Sequence, residues 1–175
     1  MQRETRIVIT ICNSGSARTG KSSLVSRFAG EAFKPNYVKT VDLDFRIAYL
    51  NEFGKDIKVI YWDTANPDRY SSLMTPFYQR VRGMCLVYDI TSRDSFNRLD
   101  DWLTLIRQHA SPLIKLILIG NKSDLDSERS VSFEEGKAYA DRQGLSFIEV
   151  SAQTTANIKE AVMTLVHLVL LSAEC

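Results

Sequence analysis

Residues 15–22, with the sequence GSARTGKS, constrain the fold of this chain more than any other segment. They match the phosphate-binding loop pattern, in which a glycine-rich turn joins a buried strand to a helix. An apolar run over residues 6–12 precedes the loop, and a helical pattern over residues 22–30 follows it. Backbone N–H groups at the start of a helix bind phosphate well. We therefore expect a phosphate-bearing ligand here, bound by Gly15, Ser16, Arg18, Thr19, Gly20, Lys21, Ser22 and Ser23. The Ser22 hydroxyl is also expected to coordinate a magnesium ion.

Two alignments of this loop to the pattern are open. In the literal alignment Gly15 is the first glycine, which places Asn13 and Ser14 at the buried end of the preceding strand. In the other alignment Cys12 stands where the first glycine normally stands, and residues 16–18 are an insertion. We favour the insertion, because the apolar run stops near Cys12. Both alignments keep the glycine, lysine and serine that end the loop.

Apolar runs typical of strands alternate with helical patterns along the whole chain. Strand patterns cover residues 6–12, 41–50, 56–63, 83–90, 113–120 and 145–150, and helical patterns cover residues 22–30, 95–110, 132–143 and 155–172. The second and third strands flank a polar turn and predict a hairpin. We expect one domain over residues 1–175, an α/β fold with a six-stranded, mostly parallel sheet, one antiparallel edge strand and helices on both faces. Ligands of such sheets bind beyond the carboxyl ends of the strands.

A second polar cluster, at residues 121–124, follows a buried strand and carries groups that recognise guanine. Asp124 can accept two hydrogen bonds from the ring N–H and the exocyclic amine of guanine, which adenine cannot offer. Lys122 can lay its methylene groups along the plane of the base. Further on, the backbone N–H of Ala152 can face the base oxygen. The residues expected at the base are Asn121, Lys122, Asp124, Ser151, Ala152 and Gln153.

The composition narrows the class of protein. With 22 basic and 21 acidic residues, the chain has no net field that would attract nucleic acid, so we expect no nucleic-acid partner. No apolar signal segment follows Met1, and secretion is not expected. Cys12 and Cys85 lie in apolar runs and are expected to be reduced thiols in the core. We therefore expect a cytoplasmic protein.

Together with Thr40 and residues 63–65, these clusters resemble the motifs of a small GTPase of the Ras superfamily, specifically of the Rab family, over essentially the whole chain. The intervals agree with that family: 19 positions from Lys21 to Thr40, 23 to Asp63, 58 to Asn121 and 30 to Ser151. The stretches most similar to Rab proteins are Trp62-Asp63-Thr64-Ala65, Arg69-Tyr70, Leu86-Val87-Tyr88-Asp89-Ile90-Thr91, Ser95-Phe96 and Asn121-Lys122-Ser123-Asp124-Leu125.

The resemblance implies a Ras-like fold that binds GTP and GDP and hydrolyses GTP to GDP. It implies a magnesium ion held by Ser22 and Thr40, with Asp63 contributing through water. It also implies that Phe33 packs against the base. The segments at Thr40 and after Asp63 would be the two switches, which are ordered by the γ-phosphate and released without it.

The resemblance also implies protein partners and a place in the cell. Effector proteins would bind residues 40–45 together with Trp62 and Phe77, and an exchange factor and a GAP would act on the nucleotide. The alternative is that Phe45, Trp62 and Phe77 are core aromatics. Rab proteins work in vesicle traffic on the cytosolic face of endomembranes. A lone Cys175 fits neither a double-cysteine signal nor a Cys-a-a-X box, so peripheral membrane association would need a tail or a partner.

The chain departs from the family at Asn66 and Pro67, which stand where Rab proteins have glycine and glutamine. The glutamine orients the attacking water. Proline has neither a side-chain amide nor an N–H, and it restricts the residue before it to extended conformations. The Asn66 N–H can still donate to a phosphate, so we expect nucleotide binding with slow hydrolysis. We assign no catalytic residue.

Three functions compete at this point. The first is a Rab-like GTP-binding switch in vesicle traffic, with impaired hydrolysis. The second is a pseudo-GTPase scaffold that acts through its effector surface without a nucleotide cycle. The third, an ATP-dependent phosphotransferase, is disfavoured because residues 121–124 select guanine and no lid for an acceptor substrate is visible.

Overall fold

The computed structural model describes residues 6–36, 43–64 and 75–173. The strands are β1 (Ile7–Ser14), β2 (Asp44–Glu52), β3 (Lys55–Asp63), β4 (Gly83–Asp89), β5 (Lys115–Asn121) and β6 (Ser146–Glu149). The helices are α1 (Lys21–Phe28), α2 (Thr75–Tyr78), α3 (Arg93–Asn97), α4 (Leu99–His109), α5 (Phe133–Gln143) and α6 (Ile158–Ala173), with a 3₁₀ helix at Ser123–Glu128.

The six strands form one sheet in the order β2-β3-β1-β4-β5-β6. Among the described strands, only the β2–β3 pair is antiparallel, and the other pairs are parallel. Helices α1 and α6 pack on one face, and α4 and α5 pack on the other. Strand β4 is buried along its whole length, because helices cover both of its faces. The predicted fold, a mostly parallel six-stranded sheet with one antiparallel edge strand, is confirmed.

The predicted hairpin is present, with a shorter turn than the sequence indicates. Glu52 pairs with Lys55, which leaves only Phe53 and Gly54 between the strands. Both have positive φ angles, 53° and 71°, the combination that two-residue hairpin turns require. The predicted start of β2, at residues 41 and 42, lies outside the described residues.

The helices predicted over residues 95–110 and 155–172 differ most from their predicted bounds, and α1 spans Lys21–Phe28 rather than residues 22–30. The single pattern over residues 95–110 corresponds to two helices, because the chain departs from regular helical geometry at Arg98, between α3 and α4. Helix α3 begins earlier than predicted, since the Ser92 side chain caps it. Helix α6 begins at Ile158 rather than at residue 155, because Thr155 and Asn157 have positive φ angles. The helix predicted over residues 132–143 is confirmed with its capping box, in which Ser132 and Glu135 bond to each other's backbone N–H.

Cys12 and Cys85 are buried, as expected for core thiols. Burial raises the pKa of the Cys85 thiol to about 12, and it raises the pKa of Cys12 well above its usual value. Within the part of the chain that the structure describes, no helix combines the length and the apolar character needed to cross a membrane.

Candidate functional site

The loop after β1 begins at Gly15, so the literal alignment is right and the favoured insertion is wrong. Strand β1 continues through Asn13 and Ser14, which are 2% and 1% exposed, and Ser14 pairs with Leu86 of β4. The Asn13 side chain donates to the backbone carbonyl of Lys21 at 2.9 Å and accepts from the Tyr61 hydroxyl at 2.6 Å. Because these hydrogen bonds satisfy the Asn13 side chain, a polar residue can lie at the end of a buried strand. The local sequence pattern does not show such distant partners, and it therefore favoured the wrong alignment.

Two glycines allow the loop to lie close to the sheet. A Cβ atom at Gly15 would stand 2.1 Å from the Val87 carbonyl oxygen, and one at Gly20 would stand 2.3 Å from the Asn121 side-chain nitrogen. Their φ angles, 137° and 88°, are also ones that other residues rarely adopt. The loop therefore needs glycine at both ends.

Lys21 is buried under the loop that precedes it. Its ammonium donates to the carbonyl oxygens of Gly15 at 2.9 Å and of Ser16 at 2.6 Å. The Thr19 hydroxyl also donates to the Ser16 carbonyl, at 2.9 Å. The loop thus wraps around a positive charge at the start of α1. An anion that lies over the loop would meet that charge together with the N-terminus of the helix.

Asp63 ends β3 beside Ser22 and Lys21. Burial raises the pKa of its carboxyl group, while a hydrogen bond with Ser22 and the charge of Lys21 act in the opposite direction. One carboxylate oxygen, Oδ1, is buried and has no hydrogen-bond partner among the described residues. An orphaned carboxylate oxygen next to a serine hydroxyl fits a hydrated magnesium ion, which prefers oxygen ligands. Thr40, the other expected ligand, lies outside the described residues.

Asn121 connects the loop with the segment after β6. Its buried side chain donates to the Thr19 carbonyl at 2.8 Å, and its oxygen accepts from the Ala152 backbone N–H at 3.4 Å. The Asp124 Oδ1 accepts from the Ser151 hydroxyl at 2.6 Å. Three segments that are distant along the chain are thus joined by side-chain hydrogen bonds, and the Asp124 carboxylate is held in place.

Sequence reasoning missed the role of Asp89. The Lys122 ammonium lies 2.6 Å from Asp89 Oδ2, and Thr91 donates to the other carboxylate oxygen from its N–H and its hydroxyl, at 2.8 and 2.7 Å. Asp89 ends β4 at the same edge of the sheet as the other clusters, and that position was the available signal. The ion pair holds the Lys122 side chain, whose backbone is itself left-handed, at φ 67°.

A cavity of about 540 Å³, a size typical of small-molecule sites, lies at this edge of the sheet. Of the expected residues, those that line it are Arg18, Gly20, Lys21, Ser22, Ser23, Phe33, Asn121, Lys122, Asp124, Ala152 and Gln153. Gly15, Ser16, Thr19 and Ser151 are buried beside it, and Asn66 and Pro67 lie outside the described residues. The structure adds Arg27, whose guanidinium donates to the Ala152 carbonyl at 2.9 Å.

Comparison with known proteins supports one assignment. A sequence model of the Ras family matches residues 9–171. The GTP-binding protein ypt2 of Schizosaccharomyces pombe is 42% identical over 151 residues, which are 86% of this chain and 76% of the relative. The Ras-related proteins RIC1 of Oryza sativa subsp. japonica and RABD2a of Arabidopsis thaliana are 40% and 37% identical over the same share of this chain, and over 75% and 74% of their own lengths. This chain is a Rab-family small GTPase of the Ras superfamily.

This Rab protein has the expected aromatic trio in one continuous contact. The ring centroids of Phe45 and Trp62 are 4.9 Å apart, and those of Trp62 and Phe77 are 5.4 Å apart. Phe45 is 44% exposed, whereas Trp62 and Phe77 are half-buried against the core. The trio is therefore partly core and partly accessible surface.

Proposed function

We propose that this chain is a guanine-nucleotide-binding switch of the Rab type, formed by one domain over residues 1–175, that acts in vesicle traffic. The observation that carries the proposal is the Asn121 side chain. It bonds both to the phosphate-type loop, at the Thr19 carbonyl, and to the backbone N–H of Ala152 in the segment after β6, and Ala152 also lines the cavity. A single cavity thus adjoins both the phosphate-type loop and the segment expected at the base. A ligand with phosphates at one end and a base at the other fits such a cavity.

Guanine selection is assigned to Asp124. The Ser151 hydroxyl occupies one acceptor site of its Oδ1. An ionised carboxylate has about four acceptor sites, so enough remain for the ring N–H and the amine of guanine. Because the carboxylate is already oriented, little conformational freedom is lost when the base binds. Adenine lacks this pair of donors, and Phe33 and Lys122 can pack on either base.

Magnesium would be held by Ser22 and Thr40, with Asp63 acting through water. The bound ion would neutralise charge on the outer phosphate oxygens. The residues of the chain do the remaining work. Lys21 adds a fixed positive charge and the loop supplies N–H donors. Asp63 Oδ1, which has no partner in the described part of the chain, would accept hydrogen bonds from water molecules on the ion.

Hydrolysis of GTP to GDP is proposed to be slow. Asn66 and Pro67 replace the glycine and the water-orienting glutamine of the family. The same departure supports a second candidate, a pseudo-GTPase scaffold that acts through its effector surface without a nucleotide cycle. The identity of the nucleotide that purifies with the protein separates the two, since GDP indicates a cycle, GTP a stalled switch and an empty site a scaffold.

We assign the effector surface to residues 40–45 with Trp62 and Phe77. Phe45 supports this, because a large exposed aromatic side chain beside two half-buried rings suits a partner with an apolar face. An exchange factor and a GAP are the expected regulators. The expected place is the cytosolic face of endomembranes.

The test measures the affinity of nucleotide-stripped protein for GTP, GDP, ATP and XTP, with and without magnesium. We expect tight binding of GTP and GDP only, and Asp124→Asn should lose at least about tenfold in GTP affinity while gaining affinity for XTP. Asp126→Asn is the matched control, since Asp126 lies in the same 3₁₀ helix and pairs with Arg129. Equal affinity of the parent protein for ATP and GTP would refute guanine selection.

A further inference from the structure

A buried hydrogen bond joins the phosphate loop to helix α4. The indole N–H of Trp102 donates to the Ser16 hydroxyl at 3.1 Å, and the two residues are 2% and 6% exposed. Trp102 does not line the cavity, and 86 positions of sequence separate it from Ser16. The nucleotide site as described so far assigns this tryptophan no role.

Ser16, like Gly15, also accepts a hydrogen bond from the buried lysine. Its carbonyl oxygen accepts from the Lys21 ammonium at 2.6 Å and from the Thr19 hydroxyl at 2.9 Å. The side chain of Ser16 is therefore bonded to α4, while its backbone is bonded to Lys21. A shift of the Ser16 backbone would change the position of the Lys21 charge.

The indole is a suitable anchor for this purpose. It can only donate, and a buried donor that loses its acceptor is costly, so Trp102 favours one position of the Ser16 hydroxyl. The ring itself is held in the core of this face of the sheet with Leu99, Leu103 and Ile106 of the same helix. The loop is thereby attached to a rigid element rather than held only by its own turns.

We propose that Trp102 is a positioning residue for the phosphate loop. Through Ser16 it keeps the Lys21 ammonium aligned under the loop, and so it slows dissociation of the bound nucleotide. The proposal rests on the proposed function, because it needs a phosphate-bearing ligand over that loop. Helix α4, which lies outside the nucleotide cavity, then contributes to nucleotide retention.

The experiment follows dissociation of a fluorescent GDP analogue from the magnesium-loaded protein for Trp102→Phe, Ser16→Ala and the double variant. Each single variant breaks the same bond, so each should raise the dissociation rate about three- to tenfold. The double variant should dissociate no faster than the faster single variant, because the bond can be lost only once. Ile106→Val is the matched control, since it loosens the same helix without contact to the loop, and its rate should equal that of the parent protein.

Three results would overturn the inference alone: an unchanged rate in Ser16→Ala, multiplying effects in the double variant, or an equal acceleration in Ile106→Val. The first of these decides the matter even where Trp102→Phe fails to fold. A parent protein that binds no guanine nucleotide would overturn the proposed function, and this inference with it. The two failures are thus distinguishable.

Discussion

Replacement of Asn13 by alanine tests the structure where sequence reasoning was wrong. Asn13 is buried at the end of β1, where it donates to the Lys21 carbonyl at 2.9 Å and accepts from the Tyr61 hydroxyl at 2.6 Å. The variant removes both hydrogen bonds and leaves both partners buried. The Tyr61 hydroxyl keeps only a weak contact, with the Cys85 sulfur at 3.6 Å.

The expected loss follows from these two contacts. The Lys21 carbonyl lies in the first turn of α1 and keeps its helical partner, so the bond lost there contributes about 1 kcal/mol, whereas the buried Tyr61 hydroxyl left without its acceptor costs about 1–3 kcal/mol. The free energy of unfolding should therefore fall by about 3 kcal/mol in total. For a domain of this size, that corresponds to a decrease in Tm of about 6–12 °C. The effect should be smaller in a Tyr61→Phe background, because phenylalanine leaves no hydroxyl without a partner.

The measurement is denaturant and thermal unfolding at fixed concentrations of GDP and magnesium, because a bound ligand adds stability. The four proteins of the double-mutant cycle give the coupling between Asn13 and Tyr61. Suppose Asn13→Ala lowers the free energy of unfolding by less than about 1 kcal/mol and shows no coupling. Then Asn13 is not at a buried strand end, and the insertion alignment of the loop would be right after all.

Three further predictions concern the nucleotide site. Asp63→Asn should stabilise the metal-free protein and abolish the dependence of GDP retention on magnesium; an unchanged response to EDTA would contradict it. Because burial raises the native pKa of Asp63, the native state holds its proton more tightly than the unfolded state. The stability of the metal-free parent protein should therefore decrease as pH rises through that raised pKa, and its affinity for magnesium should weaken as pH falls through it. The same dependence of Tm on pH in the parent protein and in Asp63→Asn would contradict this. Gly20→Ala should lower GTP affinity at least about tenfold, because a left-handed alanine costs about 1–2 kcal/mol and its Cβ meets Asn121, and parent-like titration calorimetry would refute it. Asn66→Gly with Pro67→Gln should raise the single-turnover rate of GTP hydrolysis, and a parent protein as fast as this double variant would show that another residue orients the water.

Several errors of the sequence analysis share one cause. Asn13 is polar, so the pattern ended β1 at Cys12, although Tyr61 and Lys21 satisfy its side chain. The pattern over residues 95–110 was apolar at helical spacing on both sides of Arg98, so the break between α3 and α4 was not visible. In each case the local sequence pattern did not show which distant residues contact the segment in the folded protein.

The sequence by itself determined the alternation of strands and helices and the chemical groups that follow the strands. Those groups, from Lys21 to Asp124, stand at intervals along one chain, and the parallel sheet brings the strand ends to one edge. Only the tertiary structure decided which groups touch. Asn121 bonds to Thr19 across 102 positions and Trp102 to Ser16 across 86, and contacts at such separations depend on how the helices pack on the sheet. Local periodicity records which face of an element is buried, but it holds no information on what that face meets.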